Sequence, residues 1–196
     1  MNKIKIFSFS ALLLLVIFGC ANEKNIEPDK DKIRTEFAGL ARDYTLGLKS
    51  ILKKNLQSGG PLQAINVCSD TASDLTIMFA DAMDLDVRRV SIKNRNPNNV
   101  PDQFEAKVLL EYEELLLNGN LNEKTETFDE YSINGKTVLR YMKPIIVDNA
   151  CLNCHGNNNQ ISQEVADIIT EKYPDDKAVN YTKGDLRGAV SITQRL

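Results

Sequence analysis

Two cysteines and the only histidine of this 196-residue chain lie together in the run Cys151-Leu152-Asn153-Cys154-His155. A Cys-x-x-Cys-His run is typical of covalent haem attachment, in which each thiol forms a thioether with one vinyl group of the porphyrin. The histidine that follows the second cysteine is then held beside the iron as an axial ligand. We therefore predict one haem c, with Cys151 and Cys154 as attachment residues and His155 as a metal ligand.

Three other uses of the paired cysteines agree less well with the rest of the sequence. A structural zinc site needs a second pair of Cys or His ligands, whereas the remaining cysteines are Cys20 and Cys68 and there is no second histidine. A thioredoxin-like redox pair begins a helix in a βαβ unit, which the asparagine-rich flanks do not predict. A disulfide that closes a Cys-x-x-Cys loop is short and strained, so it stabilises a fold poorly.

The amino-terminal residues resemble a bacterial lipoprotein signal peptide. Lysines precede the apolar run 6–18, which has the length of a signal-peptide core and is too short to span a membrane. Cys20 then follows a lipobox-like sequence, although Phe18 stands where a small residue is usual. We expect residues 1–19 to be the signal peptide, Cys20 to be the lipidation site, and residues 20–31 to form a polar tether. Ordinary secretion with cleavage elsewhere is the alternative.

These features predict a periplasm-facing lipoprotein of the bacterial cell envelope, on the inner or the outer membrane. Cys68 is then the cysteine that neither lipid nor haem attachment uses, and an odd thiol in an exported protein tends to oxidise or pair. It lies on the apolar stripe of a predicted helix, so we expect it to face the core. These observations do not decide the second axial ligand of the iron. The candidates are Cys68, Met78, Met83, Met142 and a lysine, and the iron could also have no second ligand.

The rest of the sequence predicts one α+β domain over residues 32–196. Apolar residues spaced by three and four predict two long helices, one ending near Ser58-Gly59-Gly60 and the next opening at Pro61. Asp102 and Glu105 form a capping signature for a third helix, and a short fourth helix ends before Pro174. Alternating and β-branched residues, with a hairpin turn at Asn134-Gly135, predict antiparallel strands over 87–93, 125–133, 136–147 and 186–193.

Charge and motif content narrow the function classes. The formal net charge is −3 and the basic residues are scattered, so we expect no nucleic-acid partner. The sequence carries no Gly-rich phosphate loop and no histidine beyond the haem run that could serve a nucleophile. A peroxidase would need distal acid–base groups other than histidine. We therefore expect a haem protein that is not an enzyme.

Four segments taken together resemble a known family, the exported single-haem c-type domains with a PAS-like fold and His/Cys iron ligation. The matching segments are 64–68 with Ala72, 88–101 with Asp102 and Glu105, the run from Cys151 to His155, and 184–191. The resemblance spreads over residues 33 to 196 and implies a PAS-like antiparallel sheet with flanking helices and haem on one face. It also implies thioethers at Cys151 and Cys154, with His155 and Cys68 as the two axial ligands.

The resemblance also implies a function. Related domains often precede a signalling module, which implies haem-based sensing of redox state or of a small ligand. In this chain we expect the signal to pass to a separate redox or signalling protein. A thiolate ligand lowers the reduction potential and can leave on reduction, which also favours sensing. Periplasmic electron transfer is the alternative function.

The first strand and the loop that follows it hold candidate cofactor-binding residues. Arg88 and Arg95 lie in this part of the resemblance, near Asn96 and Asn99. Because guanidinium groups pair with carboxylates, both arginines are candidates for binding the haem propionates or another ligand. The alternative is a purely structural role, since Asn-Pro turns are stabilised by their own hydrogen bonds.

Overall fold

The computed structural model describes residues 29–83 and 85–196, apart from the side chains of residues 68–75, 79–83 and 133. The predicted signal peptide, the lipidation site Cys20 and most of the predicted tether therefore lie outside the described residues, as do the side chains of Cys68 and Met83. None of the helices in the described ranges combines the length and the apolar content that crossing a membrane requires.

The chain begins with α1, Lys30–Met83, which is broken at Gly59 and Gly60. Gly60 has φ 69° and ψ −167°, a region that is essentially restricted to glycine. Pro61 follows at the start of the second helical stretch, where its missing N–H costs nothing. The break confirms the two helices that the sequence predicts.

The two stretches of α1 fold back on each other as an amino-terminal arm (30–58) and a carboxyl-terminal arm (61–83). The hydroxyl oxygens of Tyr44 and Thr76 lie 2.7 Å apart although they are 32 residues apart in sequence. The amino-terminal arm starts two residues before the predicted domain boundary. The reason is that Asp29 is the N-cap residue, since its carboxylate accepts the Lys32 N–H at 3.1 Å.

A four-stranded antiparallel sheet has the order β1-β4-β3-β2. Its strands are β1, Asp86–Val90, β2, Thr127–Ile133, β3, Lys136–Ile146, and β4, Leu186–Arg195. Both turn residues between β2 and β3 have positive φ, 53° at Asn134 and 77° at Gly135, as the predicted two-residue hairpin requires. β1 ends earlier than predicted because the Ser91 N–H bonds to the Asn99 carbonyl in the following loop and not to β4.

Within residues 85–196 the structure has three further α-helices, together with 3₁₀ turns at Pro97–Asn99 and Asn149–Cys151. They are α2, Gln103–Leu117, α3, Leu152–His155, and α4, Gln163–Lys172. The predicted capping signature of α2 is confirmed, since the Asp102 carboxylate accepts the Glu105 N–H and the Glu105 carboxylate accepts the Asp102 N–H. With helices packed around an antiparallel sheet, the predicted α+β class is confirmed.

Two apolar clusters cover the two faces of the sheet. The amino-terminal arm packs Phe37, Ala41 and Tyr44 on one face, which we call the α1 face, against buried residues of β1, β3 and β4. α2 packs Val108, Leu109 and Tyr112 on the opposite face, the α2 face. Leu62, an apolar residue at the start of the carboxyl-terminal arm, is exposed.

Candidate functional site

The Cys-x-x-Cys-His run forms a compact turn directly after β3. The Asp148 carboxylate accepts the Asn149 N–H at 2.7 Å and starts the 3₁₀ turn, which continues into α3. Gly156 ends α3, and a Cβ at this position would lie 2.6 Å from the Leu152 carbonyl oxygen. The turn therefore needs glycine immediately after the histidine because the backbone comes close there.

Both thiols and the imidazole of this turn line one cavity of about 220 Å³ between α1 and the α1 face of the sheet. Cys154 is buried against Ile65, Val165 and Ile169, whereas Cys151 is half-buried. Apolar side chains from both arms of α1 and from the end of β3 form the opposite walls, namely Leu48, Leu52, Ala64, Ile65, Ile145 and Ile146. The structure therefore brings Cys151, Cys154 and His155 together in one apolar pocket.

His155 is held in one orientation by the backbone. Its Nδ1 lies 2.7 Å from the Ala178 carbonyl oxygen. Because a carbonyl oxygen can only accept, Nδ1 carries the proton and Nε2 keeps its lone pair. Burial is the main cause that holds the pKa of His155 well below its ordinary value, and the nearby guanidinium groups of Arg187 and Arg95 lower it further. A neutral imidazole with Nδ1 bonded is the form that binds iron through Nε2.

Residues 176–181 tie the histidine turn to the rest of the molecule. The Tyr181 N–H donates to the His155 carbonyl at 3.0 Å, and the Asn180 N–H donates to the Gly156 carbonyl at 2.9 Å. The Tyr181 ring also packs edge-on against the imidazole at 6.2 Å. The orientation of His155 therefore depends on a segment that no sequence motif marked.

Arg95 lies in the wall of the cavity, and its guanidinium also contacts the backbone of the Cys-x-x-Cys-His turn. Its Nη2 donates to the Cys154 carbonyl at 2.6 Å, to the Asp176 carboxylate at 3.0 Å and to the Ala178 carbonyl at 3.2 Å. Its Nε is buried without a hydrogen-bond partner among the described residues. Arg95 therefore supports the backbone at Cys154 through Nη2, while its Nε stays without a hydrogen-bond partner within the described chain.

Arg88, the other predicted cofactor-binding arginine, does not line this cavity. Its Nη2 donates to the Val100 carbonyl and lies 3.6 Å from the buried carboxylate of Glu105. Since successive side chains of a strand point to opposite faces, Arg88 lies on the α2 face with Val90, and Arg89 lies on the α1 face with Val87. The structure therefore places Arg88 at the start of α2, away from the thiols and the imidazole.

Two arginines that the sequence analysis did not select, Arg89 and Arg187, line the cavity instead. The Arg187 guanidinium lies 5.5 Å from the Tyr181 ring centroid and donates to the Lys93 carbonyl at 3.3 Å. Burial lowers the pKa of Arg187, and a guanidinium stays protonated even so. The alternation from Val87 puts Arg88 and Arg89 on opposite faces of the strand without showing which face lines the cavity. Arg187 lies in the segment 184–191 that carries the family resemblance, but the sequence analysis gave it no role.

The cavity is electropositive. Four basic residues line it, Lys49, Arg89, Arg95 and Arg187, and no acidic residue of the described chain does. Within the described residues neither Arg89 nor Arg187 has a carboxylate within salt-bridge distance. An apolar pocket with unneutralised guanidinium groups suits a flat apolar ligand that carries carboxylates. The lining therefore fits haem, which combines an apolar macrocycle with two propionates.

The candidates for a second axial ligand fall in different places. Met142 is fully buried in the α2-face cluster and does not line the cavity, and Met78 is exposed on α1. Cys68 lies one helical turn after Ala64, which lines the cavity, but the Cys68 side chain lies outside the described part of the chain. Neither methionine is therefore positioned to ligate a metal beside His155.

Comparison with known proteins agrees with this site. A family model described as Tll0287-like matches residues 23–195. The chain is also similar to a solved structure, the crystal structure of the cyanobacterial heme-protein Tll0287, at 27% sequence identity and a TM-score of 0.61. That match covers 86% of this chain and 96% of the other. No curated protein matches the chain.

Proposed function

Since this chain belongs to the Tll0287-like family, we propose that it binds one haem, attached covalently as haem c. Cys151 and Cys154 form the thioethers, and His155 is an axial ligand through Nε2. The observation that carries this proposal is that both thiols and a correctly oriented imidazole line the same apolar cavity. The haem protein Tll0287, which is similar over most of its length, adds support.

The haem propionates are the natural counter-charges for the basic wall of the cavity. We assign Arg89 and Arg187 as their main partners, because both guanidinium groups line the cavity without a carboxylate partner in the described chain. Arg95 contributes its buried and unpartnered Nε. Arg88 is left out of this set because its own side chain is engaged at the start of α2.

Cys68 is the second axial ligand in this proposal. It is the cysteine that remains after haem attachment and lipidation, and it follows the cavity-lining Ala64 by one turn of α1. A thiolate donates electron density to ferric iron and is released more readily from ferrous iron. Bound haem then supplies a one-electron centre with an axial position that opens on reduction.

A labile ligand in an apolar pocket favours sensing of redox state or of a small ligand over simple electron transfer. In this proposal the protein is a lipoprotein of the cell envelope, held at the membrane through lipid on Cys20. It reports its state to a separate redox or signalling partner and has no enzymatic activity of its own. Periplasmic electron transfer is the function expected if the second ligand stays bound in both redox states.

The covalent attachment is tested on protein produced with a cytochrome c maturation system. Acid acetone should leave the haem on the wild-type chain, and Cys151→Ala with Cys154→Ala should give a colourless chain. Cys68→Ala is the matched control, since it removes a thiol and should keep the haem. Extraction of the haem from the wild type, or a purified protein that contains zinc instead, would contradict the proposal.

The axial ligand and the type of function are tested on the same variants. Ferric wild-type protein should give the low-spin paramagnetic resonance signal of thiolate ligation, and Cys68→Ala should replace it and speed cyanide binding to the ferric form. Carbon monoxide binding to the ferrous form should be the same in both proteins, because the thiolate has already left on reduction. An unchanged signal would exclude Cys68 as a ligand. A lost thiolate signal with faster carbon monoxide binding to the ferrous variant would show that the thiolate stays bound on reduction, which would favour electron transfer over sensing. Lipidation is tested separately, because Cys20→Ser should release the protein from membranes with its haem content unchanged.

A further inference from the structure

The Ala178 carbonyl oxygen, which orients His155, is shared between two donors. It accepts the Nδ1–H of His155 at 2.7 Å and an N–H of Arg95 at 3.2 Å. The strength of the acceptor at Nδ1 sets how much negative charge the imidazole carries toward its metal. A carbonyl that is already polarised by a cation is a weaker acceptor, so Arg95 reduces the basicity of the histidine.

Arg95 is paired with an opposite charge at the same point. Its Nη2 lies 3.0 Å from the Asp176 carboxylate, and both side chains are less than a tenth exposed, at 9% and 8%. The other carboxylate oxygen of Asp176 accepts the Ala178 N–H at 2.8 Å. Ala178, whose carbonyl is the histidine's acceptor, is therefore held by a buried cation at its carbonyl and by a buried anion at its N–H.

A single nitrogen of Arg95 has more acceptors than hydrogens. Nη2 has two N–H bonds, yet three acceptor oxygens lie within hydrogen-bond distance of it, those of Cys154, Asp176 and Ala178. At least one hydrogen must be shared, so loss of one contact strengthens the others. Because this cluster is buried, charge changes in it act at a low effective dielectric constant.

We propose that Arg95 and Asp176 are positioning residues that set the reduction potential of the bound haem through the Ala178 carbonyl. Arg95 raises the potential, because it weakens the acceptor of His155 and places a positive charge beside ferric iron. Asp176 lowers it, because its charge opposes that of Arg95. The proposal rests on the proposed haem binding, adds a second role to Arg95 and gives a role to Asp176, which is not among the residues that line the cavity.

The signs of two substitutions separate this role from a purely structural one. Arg95→Gln removes the cation and should shift the midpoint potential to a more negative value. Asp176→Asn keeps an oxygen for the Ala178 N–H but removes the anion, so it should shift the potential to a more positive value. A simple loosening of the turn would move both variants in the same direction. The double variant should return close to the wild-type value.

The experiment is a spectroelectrochemical titration of the full haem-loaded chain and its variants at one pH and one ionic strength. Arg95→Lys keeps the charge and should retain much of the wild-type potential. Arg140→Gln removes another largely buried arginine, on the α2 face, and should leave the potential unchanged even though it costs stability. Shifts of equal sign for Arg95→Gln and Asp176→Asn, or no shift, would overturn the proposal. A wild-type chain without covalent haem would instead overturn the proposed function.

Discussion

At the scale of single residues, Arg187 shows how a buried charge depends on its partner. It lies in the cavity wall with no carboxylate within salt-bridge distance in the described chain, and its close contacts are the Tyr181 ring and the Lys93 carbonyl. Such a cation is costly to bury unless it is paired. A haem propionate would provide that pair, so the residue should matter most when the cofactor is present.

We expect Arg187→Gln to make the reduction potential depend on pH. Without the guanidinium, a propionate in the cavity loses the charge that keeps it ionised, and its pKa rises toward neutrality. The potential should then fall with rising pH between about 5 and 8, a range in which the wild-type potential stays flat. Titration of the potential at several pH values measures this.

Arg88→Gln is the matched control for this prediction, because Arg88 precedes the cavity residue Arg89 but lies on the opposite face of the sheet. Its potential should remain as independent of pH as that of the wild type. Equal pH profiles for Arg187→Gln and the wild type would show that Arg187 does not hold a propionate.

Asp102 gives a pH-dependent contribution to stability at the start of α2. Partial burial raises the pKa of its carboxyl, but the Glu105 N–H and the Arg140 guanidinium together outweigh this, so the net pKa lies below its ordinary value. A carboxyl whose pKa is lower in the folded state stabilises the protein above the unfolded-state pKa of about 4. That stabilisation is lost as the pH falls through the folded-state value.

We therefore expect Asp102→Asn to be less stable than the wild type at pH 7, by less than about 1 kcal/mol because the side chain is half-exposed. The difference should shrink as the pH falls below about 4. Asp102→Ala should cost about 1 kcal/mol more at pH 7, since it also removes the helix cap. Denaturant unfolding at pH 7 and at pH 3 measures both effects, and a constant difference would contradict the ion-pair argument.

At the scale of the elements, the break in α1 lies at Gly59 and Gly60, and Gly60 has the backbone conformation that is restricted to glycine. Gly60→Ala should destabilise the fold by roughly 1–3 kcal/mol, because alanine cannot easily adopt φ 69° with ψ −167°. Gly39→Ala in the amino-terminal arm is the control, since nothing lies within 4 Å of the new Cβ and the site is ordinary helix. It should stabilise the protein by up to about 1 kcal/mol. Thermal unfolding of both variants should show shifts of opposite sign.

Much of the element pattern was predictable because each signal was local. The capping pair of Asp102 and Glu105, the Asn134-Gly135 turn and the glycine break before Pro61 each depend on a few neighbouring residues. The thiols and His155 were predictable for the same reason. The acceptor of His155 was not, because it is a backbone carbonyl at Ala178, and any residue has one.

The arginines show a second limit of prediction from sequence. Whether Arg88 or Arg89 reaches the cavity depends on which face of β1 packs against α1, and the strand is too short to decide this by alternation alone. Only the sheet order and the packing of Val87 and Val90 on opposite faces assign them. Sequence analysis selected Arg88 and Arg95, and of these two Arg95 lines the cavity, whereas Arg89 lines it in place of Arg88.

At the scale of the whole molecule, the cavity lies at the margin of the main apolar clusters, and three of its lining residues, Leu48, Ile145 and Ile146, pack against them. None of the buried residues of the α1-face and α2-face clusters lines it. The turn at Cys154 packs instead in a smaller cluster with Ile65, Val165 and Ile169 of α1 and α4. The proposed haem therefore supports one end of the molecule more than its centre.

We expect removal of the haem to loosen that end selectively. In the Cys151→Ala, Cys154→Ala variant, amide hydrogen exchange should be roughly tenfold faster or more in α3, α4 and residues 176–181. The central strands β3 and β4 should keep the protection they have in the wild type. Hydrogen exchange followed by mass spectrometry measures both, and equal acceleration across the chain would show that the fold responds as one unit.

The position of Ala178 in the chain bears on the order of assembly during biosynthesis. The oxygen that orients His155 is 23 residues downstream of it, so the two thiols and the imidazole are synthesised before their holding segment exists. An enzyme that attaches haem to the growing chain would therefore act on Cys151 and Cys154 before the Ala178 carbonyl can bond to His155. Residues 176–181 and β4 would then fold over a cofactor that is already bonded. A chain truncated before Ala178 should accordingly still acquire haem and yet lack a fixed imidazole.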